Sequence, residues 1–170
     1  MIRAFFTLLV CTIVAAPVTG AAADCTKFAW PPEQQQKLLQ QDNKPRIETG
    51  NAVTEFLGRA FVLRLDSFSN AKLEKSPERT PRIEKSFAGL IRVKFPVTGI
   101  VTIALTNNSW IDVIQDGKYL RPAGNTGAEG CPGVRKIVKF KVEAGDVAIQ
   151  FSGSETPELA FAITAETDAR

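Results

Sequence analysis

Apolar and polar residues alternate with a period of two along most of the chain from residue 60 onward, and this period is typical of half-buried β-strands. In the sequence KIVKFKV, Val138 and Phe140 point to one face and Lys139 points to the other, so we expect one buried face and one wetted face. The pattern predicts seven strands, at residues 60–66, 87–95, 100–106, 109–115, 135–142, 146–152 and 159–165.

The segments between these strands are short and rich in turn residues, such as Asn107-Asn108 and Asp116-Gly117. No segment with the length and period of a helix lies between the strands. Half-buried antiparallel strands joined by short turns favour two packed sheets over a parallel sheet covered by helices. We therefore expect an all-β fold, an antiparallel two-sheet sandwich of the jelly-roll kind.

The beginning of the chain has the pattern of a cleaved signal peptide: one positive charge at Arg3, an apolar stretch over residues 4–16, and Ala21 to Ala23 before Asp24. The apolar stretch is shorter than the roughly 20 residues that a membrane-spanning helix needs, although an uncleaved anchor is the alternative. We expect a signal peptide at residues 1–23, one domain at residues 24–170, a periplasmic location and no stable membrane anchor.

A short helix is predicted at the start of the mature chain. Pro31 and Pro32 precede the sequence EQQQKLLQQ, which suits two or three helical turns. Leu38 and Leu39 give this helix an apolar side that can pack on the rest of the domain.

The cysteines predict one disulfide bond. Cys11 lies in the predicted signal peptide, which leaves Cys25 and Cys131 as an even pair in a compartment where disulfides persist. Two free thiols or a redox pair are the alternatives, but the C-x-x-C spacing of redox motifs is absent.

The absence of histidine from the chain excludes most common catalytic sites. Ser-His-Asp and Cys-His systems, histidine-bearing zinc sites and the two-histidine, one-carboxylate iron site all need that residue. The net charge is only +3, and basic residues alternate with acidic ones, so we expect no nucleic-acid partner. We expect a protein that is not an enzyme and that has no cofactor and no metal.

Two motif-like strings in the chain are weak. Ser69 and Lys72 match S-x-x-K, but the companion S-D-N and K-T-G sequences are absent. Gly124, Gly127 and Gly130 are evenly spaced, but no strand-to-helix turn frames them as a phosphate site requires.

Carboxylates near residue 116 provide one further possibility. Asp112, Asp116 and Glu129 could supply the oxygen ligands that calcium prefers, although their spacing is not that of an EF-hand. The alternative is that these side chains are solvated or cap turns.

Two long connections, residues 67–86 and 116–134, are the candidate binding surface, because binding sites often lie on loops that a rigid scaffold holds. The alternative is that the disulfide only restrains an otherwise flexible loop.

The orientation of Trp110 decides between two roles. If Trp110 faces outward, it and Tyr119 can form a platform for a sugar ring or an apolar ligand. If Trp110 faces inward it belongs to the core, and its place in a central strand favours the core. The candidate ligand-binding residues are Trp110, Asp112, Asp116, Tyr119 and Arg121.

Four blocks of the sequence resemble a group of small uncharacterised proteins exported by alphaproteobacteria. The blocks are C-x-x-F-x-W, an aromatic-Ile-Asp-Val strand, a G-C-x-G loop and a closing strand with Gln before an apolar residue. They correspond here to Cys25, Phe28 and Trp30; Trp110, Ile111, Asp112 and Val113; Gly130, Cys131 and Gly133; and Gln150. The resemblance implies a periplasmic β-sandwich without catalytic residues. Some relatives carry the label homogentisate dioxygenase, but that chemistry needs iron held by histidines, which this chain lacks.

These observations together predict a monomeric, non-enzymatic binding or accessory module. It would recognise a glycan, an envelope component or a partner protein through the loops at the ends of the sandwich. A small hydrolase that uses carboxylates or a Ser-Lys pair is one alternative, and a purely structural envelope protein is another.

Overall fold

The computed structural model of the protein describes residues 24–166. The predicted signal peptide at residues 1–23 lies outside the described residues, as do residues 167–170. A 3-10 turn at Cys25–Lys27 precedes helix α1 at Glu33–Leu39. The strands of this part of the chain are β1 at Arg46–Glu48, β2 at Arg59–Arg64, β3 at Asp66–Ser67, β4 at Phe87–Phe95, β5 at Gly99–Leu105, β6 at Trp110–Gln115, β7 at Lys118–Tyr119, β8 at Pro122–Gly127, β9 at Lys136–Val142, β10 at Gly145–Ser154 and β11 at Glu158–Ala165.

The strands form two sheets that pack face to face. The six-stranded sheet has the order β1-β2-β11-β5-β9-β8, and the five-stranded sheet has the order β3-β4-β10-β6-β7. Neighbouring strands are antiparallel, except that β1 is parallel to β2. The predicted all-β, two-sheet sandwich with one short helix is therefore confirmed, and β1 is the exception to its antiparallel pairing.

All seven predicted strands are present with small shifts at their ends, but four short strands were not predicted: β1, β3, β7 and β8. The connection at residues 116–134 contains β7 and β8 and is not an irregular loop throughout. The sequence of β8, PAGNTG, has no apolar alternation because this edge strand is mostly exposed and pairs only with β9. Its strand conformation depends on backbone hydrogen bonds, which leave no pattern of side chains.

The short turns carry the chain from one sheet to the other. Residues 96–98 connect β4 to β5, residues 106–109 connect β5 to β6, and residues 143–144 connect β9 to β10, and the two strands of each pair lie in different sheets. Antiparallel hairpins within one sheet are formed by β6 with β7 and by β8 with β9.

Large apolar side chains from both sheets fill the space between them. Phe151 of the five-stranded sheet and Phe161 of the six-stranded sheet are fully buried, and their ring centroids lie 5.4 Å apart. Burying one such side chain stabilises a fold by about 1.5 to 3 kcal/mol, so this shared layer holds the two sheets together. Val138 and Phe140 point into it, as the alternation predicts.

The outer face of the six-stranded sheet is covered near its middle by the N-terminal segment, residues 24–41. Helix α1 packs on β2 and β11, and the side-chain amide of Gln35 donates a hydrogen bond of 3.0 Å to the hydroxyl of Thr164. The expectation of a wetted outer face is therefore wrong here. The apolar residues buried beneath and within this cover are Phe28, Leu39, Ala60, Ala104, Ala128, Cys131, Val134, Ile137 and Ala162.

A disulfide bond between Cys25 and Cys131 joins the N-terminal segment to the connection between β8 and β9, which confirms the predicted pairing. The side-chain amide of Gln36 reinforces the link by donating a hydrogen bond of 2.7 Å to the carbonyl of Pro132. In residues 24–166, no helix is long and apolar enough to cross a membrane.

We predict that reduction of the disulfide lowers the free energy of unfolding by about 2 to 5 kcal/mol, because the bond closes a loop of more than 100 residues. Urea unfolding with and without reductant measures the difference. The Cys25→Ala, Cys131→Ala double variant is the control, since reductant should not change its midpoint. Two titrating thiols in the unreduced, denatured protein would contradict the bond.

Candidate functional site

The candidate site lies where the edges of the two sheets meet at the start of β6. Strand β7 pairs with only Ile114 and Gln115 of β6, so in the described part of the chain the first residues of β6 have a strand neighbour on one side only, β10. Strand β9 faces this free edge, and the ammonium of Lys136 donates a hydrogen bond of 3.0 Å to the carbonyl of Ser109. Side chains, rather than a further strand, join the two sheets here.

A buried hydrogen-bond network lies on the outer face of the five-stranded sheet. Asp112 is only 2% exposed, and its two carboxylate oxygens accept separate hydrogen bonds. The indole N–H of Trp110 donates to one oxygen at 2.6 Å, and the side-chain amide of Gln150 donates to the other at 3.0 Å. The carboxylate therefore fixes the orientation of the Trp110 ring.

The same glutamine holds the segment that covers this face, residues 68–86, which we call the covering segment. The side-chain oxygen of Gln150 accepts a bond from the backbone N–H of Lys75 at 3.3 Å, and its amide nitrogen donates to the Lys75 carbonyl at 3.0 Å. Gln150 thus pairs with the backbone N–H and carbonyl of one residue, as a neighbouring strand would. Because Gln150 is completely buried, this pairing replaces the water that its amide would otherwise bind.

Tyr119 holds the covering segment at a second point. Its hydroxyl donates to the carbonyl of Ser76, and the ammonium of Lys75 lies 5.2 Å from the centroid of its ring. Burial raises the pKa of the Tyr119 phenol above its ordinary value of 10.0, and the carboxylates of Asp112 and Glu78 raise it further. The phenol is therefore protonated at neutral pH and remains a donor.

A glycine with positive φ lies in the part of β10 against which the covering segment packs. Strand β10 has a bulge between Phe151 and Ser154, and Gly153 adopts a positive φ of 73° within it. A β-carbon at Gly153 would lie 3.6 Å from the β-carbon of Pro81. The positive φ makes this position favourable for glycine, and the bulge lets Pro81 lie against the end of β10.

A cleft of about 640 Å³ opens between the covering segment, the start of β6, the edge strand β8 and its neighbour β9. Trp110 and Ser152 lie side by side in it, because these two residues are partners in the pairing of β6 with β10. The residues that line the cleft are Arg79, Thr80, Pro81, Arg82, Ile83, Asn108, Trp110, Ile111, Pro122, Asn125, Lys136, Val138, Ser152 and Gly153.

The charged groups that line the cleft are all positive: Arg79, Arg82 and Lys136. The guanidinium of Arg79 lies 5.4 Å from the centroid of the Trp110 ring, and the ammonium of Lys136 lies 5.1 Å from it. Such contacts stabilise a cation against an aromatic ring. A ligand that reaches Trp110 therefore also meets two positive charges.

Both burial and the neighbouring charges shift the pKa of Lys136. Burial lowers the pKa of its ammonium below the ordinary value of 10.5, and the positive charges of Arg79 and Arg135 lower it further. The carboxylate of Asp112 acts in the opposite direction. A negative charge brought into the cleft would raise the pKa of Lys136, as Asp112 does.

The structure brings together three of the five candidate residues, Trp110, Asp112 and Tyr119, on the outer face of the five-stranded sheet. Asp116 and Arg121 are exposed and do not line the cleft. Asp116 forms the two-residue turn between β6 and β7 with Gly117, where both residues have positive φ. These two candidates therefore lie apart from the cleft, and their role in ligand binding stays a prediction.

The preference for Trp110 in the core is wrong. Its neighbours Ile111 and Val113 point into the apolar layer between the sheets, so Trp110 and Asp112 point to the opposite face. The Trp110 ring is half-buried there, with the cationic groups of Arg79 and Lys136 over it. It therefore does not form the exposed aromatic platform with Tyr119 that the outward orientation suggested.

The arrangement of residues 24–166 supports neither the calcium site nor the Ser-Lys pair that the sequence suggested. Asp112, Asp116 and Glu129 do not form a cluster that could hold a metal ion, and the carboxylate of Glu129 pairs with Arg135 at 2.9 Å. The hydroxyl of Ser69 lies 3.5 Å from that of Ser67, and no hydrogen bond joins it to Lys72 within these residues.

Sequence reasoning included residues 67–86 in the candidate binding surface but did not single out Arg79 or Arg82 within it, and it did not propose Lys136, Gln150 or Ser152 as site residues. The sequence did contain one signal for Lys136. It lies two residues before Val138 and therefore on the same, inward face of β9, where a cationic side chain is unusual. The two arginines lie in a segment with no period, so their position depends on how the covering segment folds over the sheet.

Comparison of the chain with models of protein families, with curated proteins and with solved structures finds no match. The resemblance to exported proteins of alphaproteobacteria stays a prediction.

We predict that Gln150→Leu loosens the covering segment. The change keeps the volume of the side chain but removes both hydrogen bonds to Lys75 and one donor to Asp112. The expected cost is about 1 to 3 kcal/mol of stability, together with faster tryptic cleavage within residues 68–86 of the native protein. Mass spectrometry of the fragments measures the rate at each bond.

The matched control for this prediction is Gln115→Leu. Gln115 is also buried and also pairs with the backbone N–H and carbonyl of one residue, Glu143, at 3.0 and 2.9 Å, but within residues 24–166 it forms no hydrogen bond with the covering segment. It should lower stability without accelerating cleavage in residues 68–86. Equal acceleration in both variants would show that Gln150 does not hold the segment.

Proposed function

We propose that the protein is an exported, non-enzymatic binding module that holds its ligand in the cleft beside Trp110. The ligand would be a glycan, another envelope component or a partner protein. One observation carries this proposal: Arg79, Arg82 and Lys136 line the cleft, and none of them pairs with a carboxylate within residues 24–166. Side chains held in this way are available to a ligand.

The contacts of the polar groups favour binding over catalysis. Both oxygens of the buried Asp112 already accept hydrogen bonds from Trp110 and Gln150, so this carboxylate supports the site rather than facing a substrate. A hydrolase would need a second acidic group beside it, whereas the charged residues that line the cleft are basic. A purely structural envelope protein would have no need for a cleft with unpaired cations.

The disulfide supports the exported location in this proposal. The Cys25–Cys131 bond joins positions 106 residues apart, and such structural bonds persist in oxidising compartments such as the periplasm. The predicted signal peptide would provide the route.

We predict that the protein recovered from a periplasmic fraction begins at Asp24, because the small residues before this position form the expected cleavage site. N-terminal sequencing identifies the first residue. Recovery of the uncleaved chain in the membrane fraction would contradict the export that we propose.

We predict that Asn125→Trp blocks ligand binding. Asn125 is exposed on the edge strand β8 and lines the cleft, so a larger side chain there occupies the space of a ligand without disturbing the core. A screen of glycans and small envelope compounds should identify ligands that raise the melting temperature of the mature protein, and this shift should be lost in the variant.

Ala123→Trp is the control for the blocked cleft, because Ala123 is exposed on the same strand but does not line the cleft. Ligands should stabilise this variant as they stabilise the unchanged protein. If ligands stabilise Asn125→Trp equally well, they bind elsewhere and the cleft is not the site.

A further inference from the structure

Within residues 24–166, the positive charges that line the cleft form no ion pair with a carboxylate. Basic residues elsewhere in the domain commonly pair with carboxylates, for example Arg92 with Glu74 at 2.5 Å and Arg135 with Glu129 at 2.9 Å. No such ion pair within residues 24–166 involves Arg79, Arg82 or Lys136, although all three converge on one cleft. Cations gathered without counter-charges attract anions.

A buried hydroxyl in the same cleft also lacks a partner. Ser152 is 1% exposed, it lines the cleft, and its hydroxyl forms no hydrogen bond among the described residues. A buried polar group without a partner destabilises the fold. A ligand that carries hydroxyl groups can supply the missing hydrogen bond.

The uncharged side chains of the cleft suit a polyhydroxylated ligand. The side-chain amides of Asn108 and Asn125 form no hydrogen bond in the described part of the chain, and each offers both a donor and an acceptor to neighbouring hydroxyls. Ile83 and Pro122, both exposed, add apolar surface for the C–H groups of a sugar ring. The volume of about 640 Å³ lies within the usual range for sites of small ligands.

We propose that the ligand of this cleft is an acidic saccharide, a sugar chain whose carboxylates bind Arg79, Arg82 and Lys136 and whose hydroxyls bind Ser152 and the two asparagines. This inference rests on the proposed binding function and names the class of its ligand. The hydroxyl and amide groups favour a saccharide over an acidic peptide, which offers carboxylates but few hydroxyls. The lowered pKa of Lys136 fits the same geometry, since a bound carboxylate would offset the charges of Arg79 and Arg135.

Calorimetric titration of the mature protein with short oligomers of galacturonic, mannuronic and glucuronic acid tests the proposal. The methyl esters of the same oligomers are matched probes, because they keep the ring and the hydroxyls but lose the charge. At least one acid should bind, and the affinity for its ester should be lower by a factor of about ten or more. Added salt should lower the affinity for the acid more than the affinity for the ester. On binding, the pKa of Lys136, measured by NMR of its side chain, should rise.

Lys136→Met tests the role of the cations, because it keeps an extended apolar side chain and removes the charge. Affinity for the acid should fall by about tenfold or more. Lys141→Met is the control: Lys141 is exposed on the same strand outside the cleft, so affinity should not change. Arg82→Gln, an exposed substitution that leaves the core intact, should weaken binding even if Lys136→Met does not fold.

The outcomes separate this inference from the proposed function. If esters bind as tightly as acids, the cleft binds neutral glycans, so the ligand class is wrong and the binding function stands. If no uronate binds, or if a polyglutamate peptide binds more tightly than any uronate, the acidic saccharide is also excluded. If every ligand that the screen identifies still stabilises the Asn125→Trp variant, the cleft is not the binding site, and the proposed function of the cleft is contradicted whatever the class of the ligand.

Discussion

The apolar layer between the two sheets depends on a chain that changes sheet at almost every short turn. The central strands of each sheet are therefore paired with strands that are distant in sequence, and each sheet buries its apolar face against the other. The arrangement also leaves two outer faces with small or apolar residues, such as Ala162 on one and Ile114 on the other. Two irregular segments cover these faces, one held by the Cys25–Cys131 bond and the other by the buried amide of Gln150.

The strands could be predicted from the sequence because their inward residues are large and apolar, as in β9 and β11. The edge strand β8 could not, because backbone hydrogen bonds to β9 form it and its own side chains are small and exposed. Alternation also places Trp110 on the face of Asp112, away from Ile111 and Val113. The charged residue Asp112 on the same face of β6 was thus a better guide to the orientation of Trp110 than the size of its aromatic ring.

The polar network was beyond sequence reasoning for a different reason. Gln150 and Lys75 are 75 residues apart, and the bond between them exists only because β10 lies beneath the covering segment. The cleft is a consequence of the same docking, since it brings Arg79 and Arg82 to a position beside Lys136. Local patterns describe which residues a sheet buries, but the charge of a cleft depends on which distant segments meet there.

The pairing of Gln150 with the backbone of a single residue has a consequence for protein engineering. The buried amide accepts a replacement segment only if that segment presents a backbone N–H and a carbonyl at the position of Lys75, and neither group depends on the side chain there. Loop grafts can therefore vary the side chains at Lys75 and Ser76, as long as the backbone groups that Gln150 and Tyr119 contact are kept. A proline in place of Lys75 would lack the N–H that the glutamine oxygen accepts, so side chains can be exchanged at this point of the covering segment while its backbone must be preserved.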